Sequence, residues 1–444
     1  MSENNNGDSL WDHELICEAP GDVDLESLVA AHYAVRLEMS YDRIGAMMSL
    51  SRASVARRLQ HARLKGWLLQ PELVVPEDHM ADFERKVRCV SLGDKLVELL
   101  SPYGLRRATV VPDQRTLPDL EHEVSQRVAQ AAAIRVSDAL MERERERSQR
   151  RLSGRSRERI VGINWGYSVR WVVQFLRHPE LLNPRLQFVP LLGNFSIDEA
   201  NEKEFEEAWL CSSNRLARQA SEIFGARQPR RLTTPAVIPN VFEKGNLTTI
   251  WRFIEEDISY QRVFGRGHHR PLPGTNGEEA HTGESLLGRM DTMITGMSAL
   301  DAGSSLATMT GLIDETTDLA RLKAAGYRGD LGGHLIMDPE DPVTDPEMMA
   351  VAESLSKRIV SPTPQDFTRV ARRSVAEKNT NTGVFMVGVM KPEESNNGSP
   401  GKAGAFLAAC RMGAVNELFT DRATAAKMLR LLGIDPDNIE SESL

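Results

Sequence analysis

The chain has 444 residues, 41% of them hydrophobic and 26% charged, and a formal net charge of −9. That composition fits a globular protein of two or three domains with enough apolar material for real cores. No apolar run reaches the length of a membrane span, and the N-terminal MSENNNGDSLWDHE lacks the basic and apolar regions of a secretory signal. The four cysteines (Cys17, Cys89, Cys211, Cys410) are dispersed and form no CxxC pair, which argues against a zinc ribbon or a disulfide framework and for a cytoplasmic protein.

Residues 1–24 read as a disordered tail. Residues 25–76 read as a small helical domain. Leu28, Ala31 and Val35 repeat at helical spacing, and Ser40 opens a second short helix with Ile44, Met47 and Met48 on its apolar side. Ser49, Leu50 and Ser51 form a turn, and Ser51 is placed to cap a third helix ended by Gly66. Val55, Leu59 and Ala62 face inward there, and 68–75 can form a short wing. The segment 25–75 holds seven basic and four acidic residues inside an acidic chain. Three short helices with a basic third one match a helix-turn-helix, whose third helix enters the major groove. The expected DNA contacts are Ser51, Arg52, Ser54, Arg57, Arg58 and His61 on the third helix. Ser40 and Tyr41, at the start of the second, are placed for a phosphate. The bland alternative is an amphipathic helix with a solvated basic face.

Residues 77–102 read as a linker helix, and 103–444 as the body. TVVP (109–112), RIVGINWG (159–166), LQFVPLLGN (186–194), DTMITGM (291–297), HLIM (334–337) and GVFMVGVM (383–390) are short apolar runs with helical segments between them. Strands alternating with helices predict an α/β body on a mainly parallel sheet. The mixed-charge run 142–159 reads as a solvated helix end. The stretch 265–285, with His268 and His269, reads as a surface loop rather than a metal site, and 391–401 as a polar loop.

The stretch SYDRIGAMMSLSRASVARRLQHARLKGWL (40–68) resembles the N-terminal module of the SorC family, also described as SorC/DeoR-like, of sugar-binding transcriptional regulators. The family pattern Ser-Arg-x-x-Val-x-Arg-Leu-x-x-x-Ala-Arg-x-x-Gly is filled by Ser51, Arg52, Val55, Arg58 (one place beyond Arg57), Leu59, Ala62, Arg63 and Gly66. Further along, GLRRATVVP, INWGYSVRWVV, FVPLLGN, DTMITGMSALDAGSSLATMTGLID, LKAAGYRGDLGGHLIMD and GKAGAFLAACRMGAVNELFTDRATAAKML resemble the family's body motifs in order, so the match spans about 25–432.

The resemblance implies a winged-helix-like head and a Rossmann-like α/β effector domain related to sugar-phosphate isomerases. It implies operator DNA and a phosphorylated sugar as partners, a homo-oligomer (dimer or tetramer), no cofactor and no enzymatic turnover. Carried over to this chain, Gly166 and Ser168 would cradle the effector's phosphate, Ser168 standing where the family usually has Thr. Gly193 and Asn194 would line the next loop, with Gly296 and Asp301 after the middle strand, Asp338 ending HLIM, and Lys402 at the late lysine position. The glycines fit simple strand-end turns equally well. The sequence departs from the family at Met297 and Ser298, at Pro339 after Asp338, and in the 265–285 and 391–401 insertions. Two other readings stay open: a sugar-phosphate enzyme with an appended DNA-binding-like head, and a DNA-bound regulator that has lost its ligand response.

Overall fold

The computed structural model describes residues 20–35, 39–65, 67–69, 72–73, 89–112, 121–149, 158–177, 185–194, 210–239, 244–268, 285–300, 318–342, 345–390 and 400–441. The chain divides into two compact units, Met1–Val87 and Arg88–Leu444.

In the first unit, α1 (Pro20–Val35), α2 (Tyr41–Met48) and α3 (Arg52–Leu64) precede a two-stranded antiparallel hairpin, β1 (Leu68–Leu69) and β2 (Glu72–Leu73). Helix α1 starts inside the stretch expected to be a tail. Leu28 and Ala31 of α1, Ile44 of α2, and Val55, Leu59 and Ala62 of α3 form one buried cluster. The inward set of α3 is the one its periodicity predicts. Ser49 ends α2 in the left-handed region (φ 56°). Ser51 then caps α3, its Oγ accepting a hydrogen bond from the Ser54 N–H at 3.1 Å.

The second unit is built on a six-stranded, all-parallel sheet in the order β3-β11-β10-β6-β4-β5. The strands are β3 (Arg107–Val111), β4 (Arg159–Ile163), β5 (Leu186–Pro190), β6 (Thr292–Thr295), β10 (Gly383–Val387) and β11 (Glu417–Asp421). Strand alternation feeds two cores. In β10, Val384 and Met386 enter one cluster while Phe385 and Val387 enter the other. On one face lie α5 (Glu121–Gln149), α6 (Tyr167–Gln174) and α7 (Ser213–Phe224). The other face is covered by α4 (Val90–Leu100), α8 (Lys244–Glu256) and α9 (Ile258–Val263), and by three late helices. These are α12 (Pro364–Ala376), α13 (Gly401–Arg411) and α14 (Arg422–Leu431); a short α15 (Pro436–Ser441) follows. No described helix is long and apolar enough to cross a membrane.

Four sequence expectations change here. The part of the expected linker helix that is described, α4, is a body element: Leu92, Leu96 and Leu100 are fully buried in its core. The HLIM segment is not in the parallel sheet. It forms β9 (His334–Met337), antiparallel to β8 (Tyr327–Leu331) and joined through it to β7 (Ser298–Ala299). Gly332 and Gly333 (φ 65° and 91°) reverse the chain directly after β8, and a two-residue turn can only join antiparallel neighbours. This small sheet packs with α10 (Asp318–Ala324) and α11 (Pro346–Ser356) around a third cluster. The mixed-charge run 142–159 ends on a buried residue: Arg159 opens β4 and donates to the Ala139 carbonyl at 2.9 Å.

The surface-loop reading of 265–285 also fails at His268, whose side chain is only 1% exposed. Its ring stacks on Phe264 (centroids 5.4 Å apart), and Nε2 lies 3.1 Å from Asp366 Oδ2. Residues 269–284, including His269, are outside the described residues. His334 is buried close by, and burial pushes its imidazole down to about 4, against the Ser361 backbone hydrogen bond and the Asp366 charge. The folded chain therefore keeps this ring neutral while the unfolded chain takes up a proton between about pH 6.5 and 4. Stability is expected to fall through that window on acidification, by on the order of 2–3 kcal/mol for this ring. Denaturant midpoints measured at pH 7 and pH 4.5 should shift less in His334→Gln than in wild type; equal shifts would remove His334 from the account.

Candidate functional site

Two regions gather the expected site residues. The first is the outer face of α3. Arg52 and Arg57 are exposed and Ser54 is half-buried, while Val55, Leu59 and Ala62 hold the helix to its core. The Arg57 guanidinium donates to Ser54 Oγ at 3.2 Å, and Ser54 Oγ lies 2.9 Å from Ser51 Oγ. Arg52 reaches Asp42 at 3.1 Å, with both side chains about 70% exposed. An exposed pair of this kind is worth little and is readily exchanged for another anion. Ser40 opens α2 in extended conformation with no side-chain cap bond, and Tyr41 is 37% exposed.

Arg58 and His61 do not join this face. The Arg58 guanidinium is 11% exposed and lies 2.7 Å from Glu26 of α1. His61 Nε2 is 2.6 Å from Asp24 Oδ1, and Lys65 stands 3.5 Å from the other Asp24 oxygen. The cause is helical period: 58, 61 and 65 follow each other at three and four residues and fall on the side that meets α1. Burial alone would raise the Asp24 pKa, but the His61 hydrogen bond and the Lys65 charge together bring it below its usual value. Two of the side chains expected at DNA therefore brace α3 against α1. The sequence signal for this was the acidic pair Asp24 and Glu26, which lies far from α3 in the chain.

The second region is the rim formed by the carboxyl ends of the parallel strands. The connection after β4 leads outward to β5, whereas the one after β6 leads the other way to β10. Between β4 and β6 the sheet therefore has its topological switch point, where open α/β sheets leave a crevice for ligands. Asn164, 1% exposed, follows β4 and spans the gap, its Nδ2 donating to Thr295 Oγ1 at 3.0 Å. Gly166 comes next at φ 126°, with no atom within 4 Å of where a Cβ would stand. It stands at the N-cap of α6 with no side-chain cap bond, at the end of a helix whose dipole favours an anion. Ser168 is half-buried in that first turn.

Gly296 follows β6, and a Cβ there would make only ordinary 3.7 Å contacts. Lys402, on the first turn of α13, lays its side chain over the end of β10, with Cε 3.3 Å and Nζ 3.6 Å from a Cβ built on Gly388. Gly166, Ser168, Gly296 and Lys402 thus share one rim.

The other four expected effector residues fare differently. Gly193 and Asn194 follow β5, and both are also engaged in local packing. A Cβ on Gly193 would stand 2.2 Å from the Thr234 carbonyl oxygen, and Asn194 exchanges backbone hydrogen bonds of 2.8 Å with Thr234 and Ala236. Asp301 lies outside the described residues. Asp338 is not on this rim. It accepts a 2.5 Å hydrogen bond from Arg411 at the far end of α13 from Lys402. Nine residues of helix separate those ends by about 13 Å. Its place at the end of an antiparallel strand explains the difference. Two buried polar residues of the rim, Asn164 and Asp421 at the end of β11, were not singled out from the sequence.

The class these features define is a two-unit α/β protein: a three-helix unit with a short hairpin that presents a basic helix, and a parallel-sheet body whose loops converge at a strand-order reversal. Among solved structures it is similar to the full-length sorbitol operon regulator SorC from Klebsiella pneumoniae, at 16% identity over 92% of this chain and 99% of that chain, with a TM-score of 0.49. It is also similar to a DeoR family transcriptional regulator from Listeria monocytogenes, at 16% identity over 77% of this chain and 99% of that one, with a TM-score of 0.47. A transcriptional regulator from Streptococcus pneumoniae TIGR4 matches at 14% identity over 78% and 99%, with a TM-score of 0.45. No protein-family model matches the chain, and no curated protein matches it by sequence.

Proposed function

We propose that the chain is a DNA-binding transcriptional regulator of carbohydrate metabolism genes, whose operator binding is modulated by a phosphorylated sugar or related metabolite held in the body. In this reading α1–α3 and the β1–β2 hairpin are a winged helix-turn-helix, and α3 enters the major groove. Ser51, Arg52, Ser54 and Arg57 face base edges and phosphates, with Ser40 and Tyr41 on the flanking backbone. The observation that carries it is the division of basic side chains on α3: Arg58, His61 and Lys65 meet the acids of α1, while Arg52 and Arg57 stay on the open face beside two serines.

The effector's phosphate would sit on the uncapped first turn of α6 at Gly166 and Ser168, with Lys402 as its cation and Gly296 at the floor. A guanidinium or ammonium bonded to phosphate is among the stronger hydrogen bonds available. The chain acts as a homo-oligomer, a dimer or tetramer, so that two heads engage two half-sites. The effector works by binding one arrangement of the oligomer better than the other.

The test is fluorescence anisotropy with duplex DNA from the promoter region of the chain's own gene, with and without pooled sugar phosphates. The pool is expected to shift the binding curve. Lys402→Ala should raise the pool concentration needed by roughly 10–150-fold, the loss of one charge-assisted hydrogen bond. Absence of sequence-specific binding at low salt, with or without the pool, would overturn the reading.

A further inference from the structure

The outer edge of the parallel sheet carries a feature that the regulator reading does not use. Residues 227–235 run beside β5 in the same direction, bridging Gln187 to Arg227 and Asn194 to Pro235. This arm covers the open edge of the strand and leaves Arg227, Arg230 and Arg231 exposed. Arg230 and Arg231 line two adjoining hollows. One, of about 130 Å³, is completed by Asn214, Arg218, Gln228 and Pro229. The other, of only about 10 Å³, lies against Ser259 and Arg262.

Among the described residues, the carboxylates nearby do not neutralise this stripe. Glu222 pairs with Arg218 at 2.9 Å. Asp257 is taken up in capping α9 and in accepting from Thr233 Oγ1 at 2.8 Å. Glu158 acts on Arg262 only at longer range. Among the described residues, no carboxylate stands within ion-pair distance of Arg227, Arg230, Arg231 or Arg262. Burial, and after it the like charges of Arg230 and Arg227, hold the Arg262 guanidinium below its usual range.

Every cation here is an arginine, whose planar fork matches the oxygens of a phosphate two at a time. Several guanidinium groups on one hollowed edge favour an anion with more than one phosphate over a single carboxylate. We propose that the arginine stripe on the β5 edge binds a phosphate-bearing anion, through residues other than those of the β4–β6 crevice. The shared chemistry is phosphate oxygen, supplied by a free polyphosphate or by a nucleic-acid backbone.

The test is calorimetric titration of the full chain with inorganic tripolyphosphate at constant ionic strength, beside anisotropy with a scrambled duplex that carries no operator. Arg230→Gln/Arg231→Gln should weaken tripolyphosphate binding at least 10-fold if the anion is free, or weaken the scrambled duplex by that factor if it is a backbone. Arg230→Lys/Arg231→Lys, which keeps charge but loses the fork, should fall between the double glutamine variant and wild type. Arg372→Gln, an exposed arginine on α12, should change neither. Sugar phosphates and operator DNA are absent from both titrations, so failure of the regulator reading leaves this result untouched. The proposal is overturned if wild type and the double glutamine variant bind both anions alike. It is also overturned if Lys402→Ala, rather than the double variant, loses tripolyphosphate. A third overturning result is a change in sedimentation mass with unchanged anion binding, which would make the stripe a contact between copies of the chain.

Discussion

Replacing Arg57 with alanine is expected to weaken binding to promoter DNA by roughly 5–150-fold, the effect of losing one bidentate base contact. The side chain is exposed and bonded only to Ser54, so the head should unfold as the wild type does. Arg58→Ala should behave in the opposite way. Its guanidinium is nearly buried against Glu26, and removing it leaves that carboxylate facing α3 without its partner. The head should then lose stability, and DNA binding should fall only as far as the folded fraction falls. Operator variants separate the two, because a lost base contact relaxes discrimination at one base pair, whereas a smaller folded fraction lowers affinity for every sequence alike. Superimposable curves for Arg57→Ala and wild type would remove α3 from the DNA interface.

The largest effect on stability is expected at Asp366. Its carboxylate is 1% exposed and meets four groups, two of which hydrogen-bond to it. It accepts from the Thr363 N–H at 2.8 Å and from the Thr363 hydroxyl at 2.9 Å, closing the cap of α12. Arg369 lies 2.9 Å from its Oδ1 and His268 3.1 Å from its Oδ2. Burial holds the Arg369 guanidinium below its usual range, and the Asp366 charge is what opposes that. Asp366→Ala would leave a half-buried cation uncompensated and a helix uncapped, a loss of up to about 3–5 kcal/mol. Asp366→Asn keeps an acceptor for the cap and should cost less. Denaturant midpoints of the full chain give both numbers; a shift under about 1 kcal/mol for the alanine variant would show that the cluster does not hold α12 in place.

What could be read in advance followed from periodicity and strand chemistry. Val55, Leu59 and Ala62 announced the inner face of α3, and five of the six apolar runs became strands of the parallel sheet. The sixth, HLIM, has the same composition, and only Gly332 and Gly333 before it decide that it turns back on its neighbour. Strand β11 was missed as a strand because ELFTD begins and ends with acids, although both are buried.

At the site, local signals were legible. The glycine and serine opening α6, which the family resemblance marks for a phosphate, stand on the same rim as Lys402. Pairings across long stretches of chain were not legible. Nothing near Arg58 or His61 in the sequence points to Glu26 and Asp24, and nothing near His268 points to Asp366 almost a hundred residues later. Gly193 shows the complementary problem. A glycine after a strand suits a ligand and suits a close backbone equally, and only the position of Thr234 distinguishes them.

The arm along β5 also has a consequence for synthesis. Strand β5 ends at Pro190, and its cover begins with Arg227, roughly 40 residues later. At about 5–20 residues per second, the nascent chain carries a hydrophobic strand with an uncovered edge for about 2–8 seconds. Such an edge is a template for pairing with a neighbouring chain. When the arm emerges it brings three arginines to that edge, and charged residues beside an unavoidable apolar strand act as gatekeepers against aggregation. Polysomes crowded with this message would be the setting in which those arginines matter before any ligand is present.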